Sequence, residues 1–110
     1  MGYNLGEFEQ LLLFAVLRLG DDATGAAVLE EIEGRTGRPV SAGAIYTGFR
    51  RLEKKGFVSS ELGEPSGHRS GKRPKLYRLE PAGAEALKRS YRAIDRMAEG
   101  VLPRLESLTG

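Results

Sequence analysis

A mainly α-helical domain with one small β-hairpin is the fold class that the sequence predicts. Apolar residues recur at helical spacing in four segments, which are residues 5–19, 24–37, 41–56 and 81–108. Two short segments instead alternate apolar and polar residues, as strands do, and these are residues 57–62 and 75–79. The 110 residues suffice for one domain with a hydrophobic core of its own.

The composition argues against an enzyme. The chain has no cysteine, so it offers neither a disulfide nor a thiolate metal site. It has a single histidine, His68. It also has no glycine-rich phosphate loop between a strand and a helix. We therefore expect no catalytic residue, no metal and no cofactor. The apolar run 11–17 lacks the flanks of a secretory signal and is too short to cross a membrane, so we expect a cytoplasmic protein without a membrane partner.

The first helix, residues 5–19, is rich in Leu, has Val16 as its only β-branched residue and ends at the turn Gly20-Asp21-Asp22. Between Leu11 and Leu17 it is apolar on every side, which packing on one side only cannot explain. Either this helix lies at the centre of the domain, or a second subunit covers its other apolar face. For a domain of this size we favour the second interpretation.

The next two helices form a helix-turn-helix pattern. Thr24 is a suitable N-cap for a helix that ends at about Gly34 or Gly37. After a short turn, Ser41 is a suitable N-cap for a third helix, residues 41–56. Two short helices joined by a tight turn are typical of DNA-binding proteins, which place the second helix in the major groove.

The third helix has one apolar and one basic face. Ile45, Phe49 and Leu52 share the side that we expect to be buried. The opposite side carries small residues and cations, which are Gly43, Thr47, Arg50 and Lys54, with Arg51 beside them. Residues 34–78 contain eleven cations and three carboxylates, a net +8, whereas the remainder of the chain nets −6. This division indicates a polyanion-binding surface, although a solvated basic face is the plainer interpretation of the helix alone.

The two strands enclose a long connection, residues 63–74, that is rich in Gly, Pro, Ser and basic residues. Arg69, Lys72 and Arg73 are expected at its tip. A basic hairpin that follows a helix-turn-helix is typical of a wing, which rests on the DNA backbone or enters the minor groove.

The last helix begins at Pro81 and carries a heptad-like apolar stripe. We expect its first turns to pack on the domain's own core and the later turns to meet a second subunit, with a kink or an end near Gly100, before Pro103. Residues 1–80 would then bind DNA and residues 81–110 would dimerise, within one compact unit. The expected dimer interface comprises Phe8, Leu12, Phe14, Leu87, Tyr91, Ile94, Ala98 and Val101.

Three stretches, LGEFEQLLLFAVLRLGDDATG, VSAGAIYTGFRRLEKKGFVSSELGEP and YRLEPAG, occur in this order. Together they resemble the PadR family of bacterial regulators over about residues 5–100, and the short C-terminal helix is similar to that of its smaller subgroup. The resemblance implies a winged helix-turn-helix homodimer that binds a pseudo-palindromic operator, usually as a repressor. It also implies that the dimer seam could hold a small-molecule effector, with Phe8, Phe14, Tyr91 and Met97 as lining, although these residues are more often plain interface packing.

The resemblance also assigns DNA contacts by position. Those in the third helix are Ser41, Ala44, Tyr46, Thr47 and Arg50, and those in the wing are Arg69, Lys72 and Arg73. Tyr46 would donate its hydroxyl to a phosphate while its ring packs inward. Gly48, Thr24 and Glu80 depart from the family pattern, and Gly48 is expected to loosen its helix. The alternative function is a winged helix that binds an acidic protein partner through the same basic face.

Overall fold

The computed structural model describes residues 5–64 and 73–110, and it confirms the predicted fold class. Its elements, in chain order, are α1 (Glu7–Leu19), a 3₁₀ turn (Gly20–Asp22), α2 (Gly25–Thr36), α3 (Ala42–Lys54), β1 (Val58–Leu62), β2 (Lys75–Leu79), α4 (Pro81–Ala98) and α5 (Leu102–Thr109). Two of the predicted wing cations, Arg69 and Lys72, lie outside the described residues, as does His68. None of the helices in the described ranges is long and apolar enough to cross a membrane.

The two predicted N-caps of the helix-turn-helix are confirmed. The Thr24 side chain accepts a hydrogen bond of 3.1 Å from the Ala27 N–H, and α2 starts at the next residue. The Ser41 hydroxyl accepts one of 3.0 Å from the Ala44 N–H at the start of α3. Each bond satisfies an N–H that the helix itself leaves unpaired. Gly37 ends α2 with a φ of 71°, in the left-handed region that glycine adopts without strain.

The central element of the domain is α1, which packs against α2, α3, α4 and β2. Leu12, Leu13, Ala15 and Val16 of this helix are buried. Our preferred interpretation, a second subunit on its other apolar face, is therefore wrong for most of the helix, because elements of the same chain cover it. Only Leu17 remains largely bare, with 60% of its surface exposed.

The hairpin is attached firmly to the helices. Its strands are antiparallel, with Val58 opposite Leu79. The Tyr77 N–H donates a 2.9 Å hydrogen bond to the Ala23 carbonyl. The Tyr77 ring stacks on that of Phe49 in α3, with 3.8 Å between the ring centroids. The orientation of α3 is therefore coupled to that of the hairpin through the core.

The C-terminal helix leaves the core after its first turns. Gly83, Ala86 and Leu87 are buried, whereas every residue from Tyr91 to Gly100 is exposed. The helix ends at Ala98, and Gly100 takes a φ of 71° before α5 begins. The expected interruption near Gly100 is thus confirmed, and Pro103 lies in the first turn of α5, where its missing N–H costs no helical hydrogen bond.

Candidate nucleic-acid interface

The orientation of α3 follows from its buried side. Ile45, Gly48, Phe49 and Leu52 face the core, which leaves the opposite side in solvent. All eight residues of this region that the sequence assigned to DNA are exposed: Ser41, Gly43, Ala44, Tyr46, Thr47, Arg50, Arg51 and Lys54. The structure thus gathers them on one accessible surface, which we call the α3 face.

The cations of the α3 face stand apart from the ion pairs that the described residues form. Within residues 5–64 and 73–110, no ion pair engages Arg50, Arg51 or Lys54. Lys55 differs, because its Nζ lies 2.8 Å from a Glu9 carboxylate oxygen. A surface with three such cations, and with small residues in the preceding turns of the helix, can approach an anionic backbone closely.

Glu9 marks the edge of this surface, and sequence reasoning did not find it. Burial by itself raises the pKa of the Glu9 carboxyl. Hydrogen bonds from Lys55 and from the Gly6 N–H, together with the charges of Lys55 and Arg51, act in the opposite direction. The net result is a pKa below the usual 4.5. The carboxylate links the start of α1 to the end of α3. No local pattern indicates this contact, since the two partners are 46 positions apart.

Tyr46 is placed differently from the expectation. Its ring does not pack inward, since 54% of the residue is exposed. The ring borders a shallow groove of about 350 Å³ together with Ala26, Ala42 and Tyr77. The Arg50 guanidinium carbon lies over the ring, 5.8 Å from its centroid.

The described part of the wing corrects one more expectation. Arg73 lies at the base of the hairpin and not at its tip, because its Nε donates a 2.7 Å hydrogen bond to the Gly63 carbonyl. The Gly63 N–H in turn donates one of 2.7 Å to the Pro74 carbonyl. Arg73 therefore helps to close the hairpin. The two other predicted wing cations are among the residues that the structure does not describe.

Two of the residues expected at the dimer interface are corrected. Leu12 has no exposed surface and Leu87 only 4%, so both belong to the protomer's own core. Phe8 is half-buried beside α3, near Gly48 and under Arg38, whose guanidinium carbon is 5.9 Å from the ring centroid, and its place at the interface stays a prediction. Helical spacing shows that these apolar residues lie on one side of a helix, but it does not show which surface that side contacts.

The remaining predicted interface residues are accessible. The Phe14 ring meets that of Tyr91 edge-on, with 6.0 Å between centroids. Tyr91, Ile94 and Ala98 are exposed on α4, and Val101 is half-buried. Their surfaces continue the apolar stripe beyond the core.

A helix-turn-helix whose second helix is exposed and basic, followed by an antiparallel hairpin, defines the winged helix-turn-helix class. Within that class, the chain belongs to the PadR-like family of transcriptional regulators, because the family model matches residues 13–89. Membership places the protein among regulators rather than enzymes.

Individual relatives agree with this assignment. The chain is 34% identical to the transcriptional regulator Rv3488 of Mycobacterium tuberculosis over 82 residues, which are 74% of this chain and 72% of the relative. A PadR family transcription regulator from Clostridium difficile has a TM-score of 0.68 at 23% identity, over 88% of this chain and 99% of that one. Bacillus subtilis PadR, solved in complex with operator DNA, has a TM-score of 0.62 at 20% identity, over 74% of this chain and 44% of that one.

Proposed function

We propose that the protein is a homodimeric repressor that binds a pseudo-palindromic DNA operator. In this proposal α3 enters the major groove and the wing, residues 63–74, lies on the adjacent backbone. The observation that carries the proposal is the α3 face, whose three cations form no ion pair with another described residue, on a helix that the core holds in place. The Bacillus subtilis relative, which has the same fold and was solved with operator DNA, supports it.

The residues of the α3 face would divide the work of recognition. Gly43 and Ala44 are small, so the N-terminal half of α3 can come close to the base edges. Thr47 and Arg50 would reach those edges, since Arg pairs with guanine through two parallel hydrogen bonds. Arg51 and Lys54 would contact phosphates, which supply affinity without sequence information.

The dimer would form through the exposed apolar residues of the C-terminal arm. Those with large side chains are Tyr91, Ile94, Met97, Leu102, Leu105 and Leu108, each at least half exposed. So many bare apolar side chains on two short helices favour burial against a second copy. Residues 1–80 would then bind DNA and residues 81–110 would hold two protomers together, so that the two α3 helices lie about one DNA turn, roughly 34 Å, apart. We place this activity in the cytoplasm, where bacterial operators are found.

A small-molecule effector would bind next to the same seam. A groove of about 420 Å³ lies between α1, α2 and α4, and Leu11, Phe14, Ile32 and Tyr91 contribute to its apolar wall. An effector there would release DNA only if it bound the DNA-incompetent arrangement of the dimer more tightly than the competent one.

The proposal is tested by selecting bound sequences from random DNA and measuring affinity for the selected site by fluorescence anisotropy. We expect Arg50→Ala to weaken binding by ~1–3 kcal/mol and to relax the preference at the base that it reads. Arg51→Ala should weaken binding to all sequences alike and reduce the salt slope by about 1. Affinity should also fall with added salt, with a log–log slope of about −0.9 per neutralised phosphate. The matched control is Arg89→Ala, an exposed arginine on the side of α4 opposite the apolar stripe, which should bind like the wild type.

Two results would contradict the proposal. If no DNA fragment bound saturably even at low salt, the basic face would serve another ligand, such as an acidic protein. If the α3 variants and the Arg89 variant all bound equally well, DNA would be held by a different surface.

A further inference from the structure

Tyr46 and Arg50 form a contact within the α3 face that phosphate binding does not require. They stand four positions apart, so they are neighbours on the helix surface. The guanidinium carbon of Arg50 lies 5.8 Å from the centroid of the Tyr46 ring, within the range of a cation–π interaction. Arg50 forms no ion pair with any residue of the described chain, so the ring is the partner that the structure gives it.

The Tyr46 ring is half-exposed and stands at the edge of the core. It stands at the border of the groove formed with Ala26 of α2 and Tyr77 of β2. Tyr77 is buried and stacks on Phe49, so this wall of the groove belongs to the core. A tyrosine ring also has only two side-chain torsions, so little entropy is lost in holding it.

We propose that Tyr46 is a positioning residue for base recognition, whose ring holds the Arg50 guanidinium in a DNA-reading direction. A guanidinium attracted to a ring by a cation–π contact makes no hydrogen bond to that ring, so its N–H donors stay available for guanine. A long side chain that is already restrained loses less rotamer freedom when the complex forms. The inference rests on the proposed function. In it, Arg50 reads guanine, and the Tyr46 ring strengthens that preference by holding Arg50 in place.

This role differs in its consequences from a phosphate contact by the Tyr46 hydroxyl. A hydroxyl–phosphate bond adds affinity for any sequence, and its effect does not depend on Arg50. A supporting ring instead adds affinity only for the sequence that Arg50 reads, and its effect vanishes when Arg50 is absent. The two roles are therefore separated by a double-mutant cycle and by removal of the hydroxyl alone.

The experiment measures affinity for two kinds of DNA, the selected operator and the operator with single base pairs replaced. The proteins compared are the wild type, Tyr46→Leu, Tyr46→Phe, Arg50→Ala and the Tyr46→Leu/Arg50→Ala double variant. We expect Tyr46→Leu to weaken operator binding by about two- to thirtyfold, which is the span of a cation–π contact from exposed to desolvated sites. Discrimination at one base pair should fall by the same factor. Phenylalanine should restore both, and in the Arg50→Ala background the leucine substitution should cost less than about twofold.

A second cycle with Lys54→Ala is the matched control. Lys54 is a cation on the same face but two turns from Tyr46, so its effect should add to that of Tyr46→Leu. Because Tyr46 is more than half exposed, these variants should fold, and circular dichroism checks this.

The possible results separate the inference from the proposed function. If Tyr46→Phe is as harmful as Tyr46→Leu, or if the Tyr46 and Arg50 losses simply add, the positioning role is overturned while DNA binding by α3 stands. If Arg50→Ala leaves operator binding unchanged, the assignment of α3 as the reading helix fails, and the inference fails with it.

Discussion

Gly83 stands where the start of α4 packs on Phe57, the residue just before β1. A Cβ atom added there would lie 2.2 Å from the Phe57 carbonyl oxygen and 3.0 Å from a Leu79 methyl carbon. The first contact is with backbone, which cannot rotate away. The glycine of the YRLEPAG stretch is therefore explained by close approach of the helix to the chain, and not by a special backbone conformation.

We predict that Gly83→Ala destabilises the protein by about 2–3 kcal/mol, although alanine favours helix by about 1 kcal/mol, because the helix must move to relieve the overlap. Urea unfolding followed by circular dichroism measures this change. The matched control is Gly34→Ala in α2, where an added Cβ would meet nothing within 4 Å. That variant should be more stable by about 0.5–1 kcal/mol. Equal effects of the two substitutions would contradict this account of Gly83.

At the scale of elements, the contact between α1 and α3 depends on Gly48. A Cβ at this position would lie 2.4 Å from a terminal carbon of Leu12, a side chain with no exposed surface. The sequence led us to expect that this glycine loosens α3. The structure gives it a compensating role, because the missing side chain lets α1 and α3 pack closely.

The same two helices are joined at the other end of the contact by the Glu9–Lys55 ion pair. Because the folded-state pKa of Glu9 is lowered, its stabilising contribution is fully present above the unfolded-state pKa. That contribution is lost as the pH falls through the lower, folded-state value. The helix-to-helix link is therefore expected to weaken in acid, below about pH 4.5.

We predict that Glu9→Gln lowers the free energy of unfolding at pH 7 by on the order of 1 kcal/mol and flattens its fall between pH 6 and 3. Urea unfolding across that range, for wild type and variant, measures both effects. Glu30→Gln is the control, because Glu30 is exposed on α2 and forms no ion pair with another described residue. Parallel pH profiles for wild type and Glu9→Gln would show that the link does not stabilise the fold.

At the scale of the whole molecule, the helices beyond Tyr91 project from the core and keep apolar side chains in solvent. Ile94 is 61% exposed and Met97 81%. In the proposed dimer, this arm would gain stability by pairing with its counterpart in a second copy, which would remove apolar surface from water.

We predict that the wild type sediments as a dimer, and that Ile94→Asp weakens dimerisation at least tenfold by placing a carboxylate on the apolar stripe. Sedimentation equilibrium over a range of concentrations measures both quantities. Arg89→Glu, which changes the charge on the opposite side of α4, should dimerise like the wild type. A wild type that remained a folded monomer at all concentrations would refute the proposed dimer.

The sequence anticipated what depends on neighbours along the chain. The two faces of α3, the caps at Thr24 and Ser41 and the break at Gly100 all follow from periodicity, side-chain hydrogen bonding or backbone preference within a few residues. For the same reason, the exposed set on α3 could be listed residue by residue, and the family resemblance carried by such local motifs led to the correct class of protein.

Only the tertiary structure decided which surfaces meet. A helical wheel shows that α1 is apolar all round, but not that α2, α3, α4 and β2 of the same chain cover it. Reasoning from the sequence therefore assigned Leu12 of α1 and Leu87 of α4 to a partner subunit. It also missed the hydrogen bond between Lys55 and Glu9. The physical reason is that the order of residues determines local conformation and the side on which apolar groups lie, whereas the choice of contact depends on the free energy of packing distant segments together.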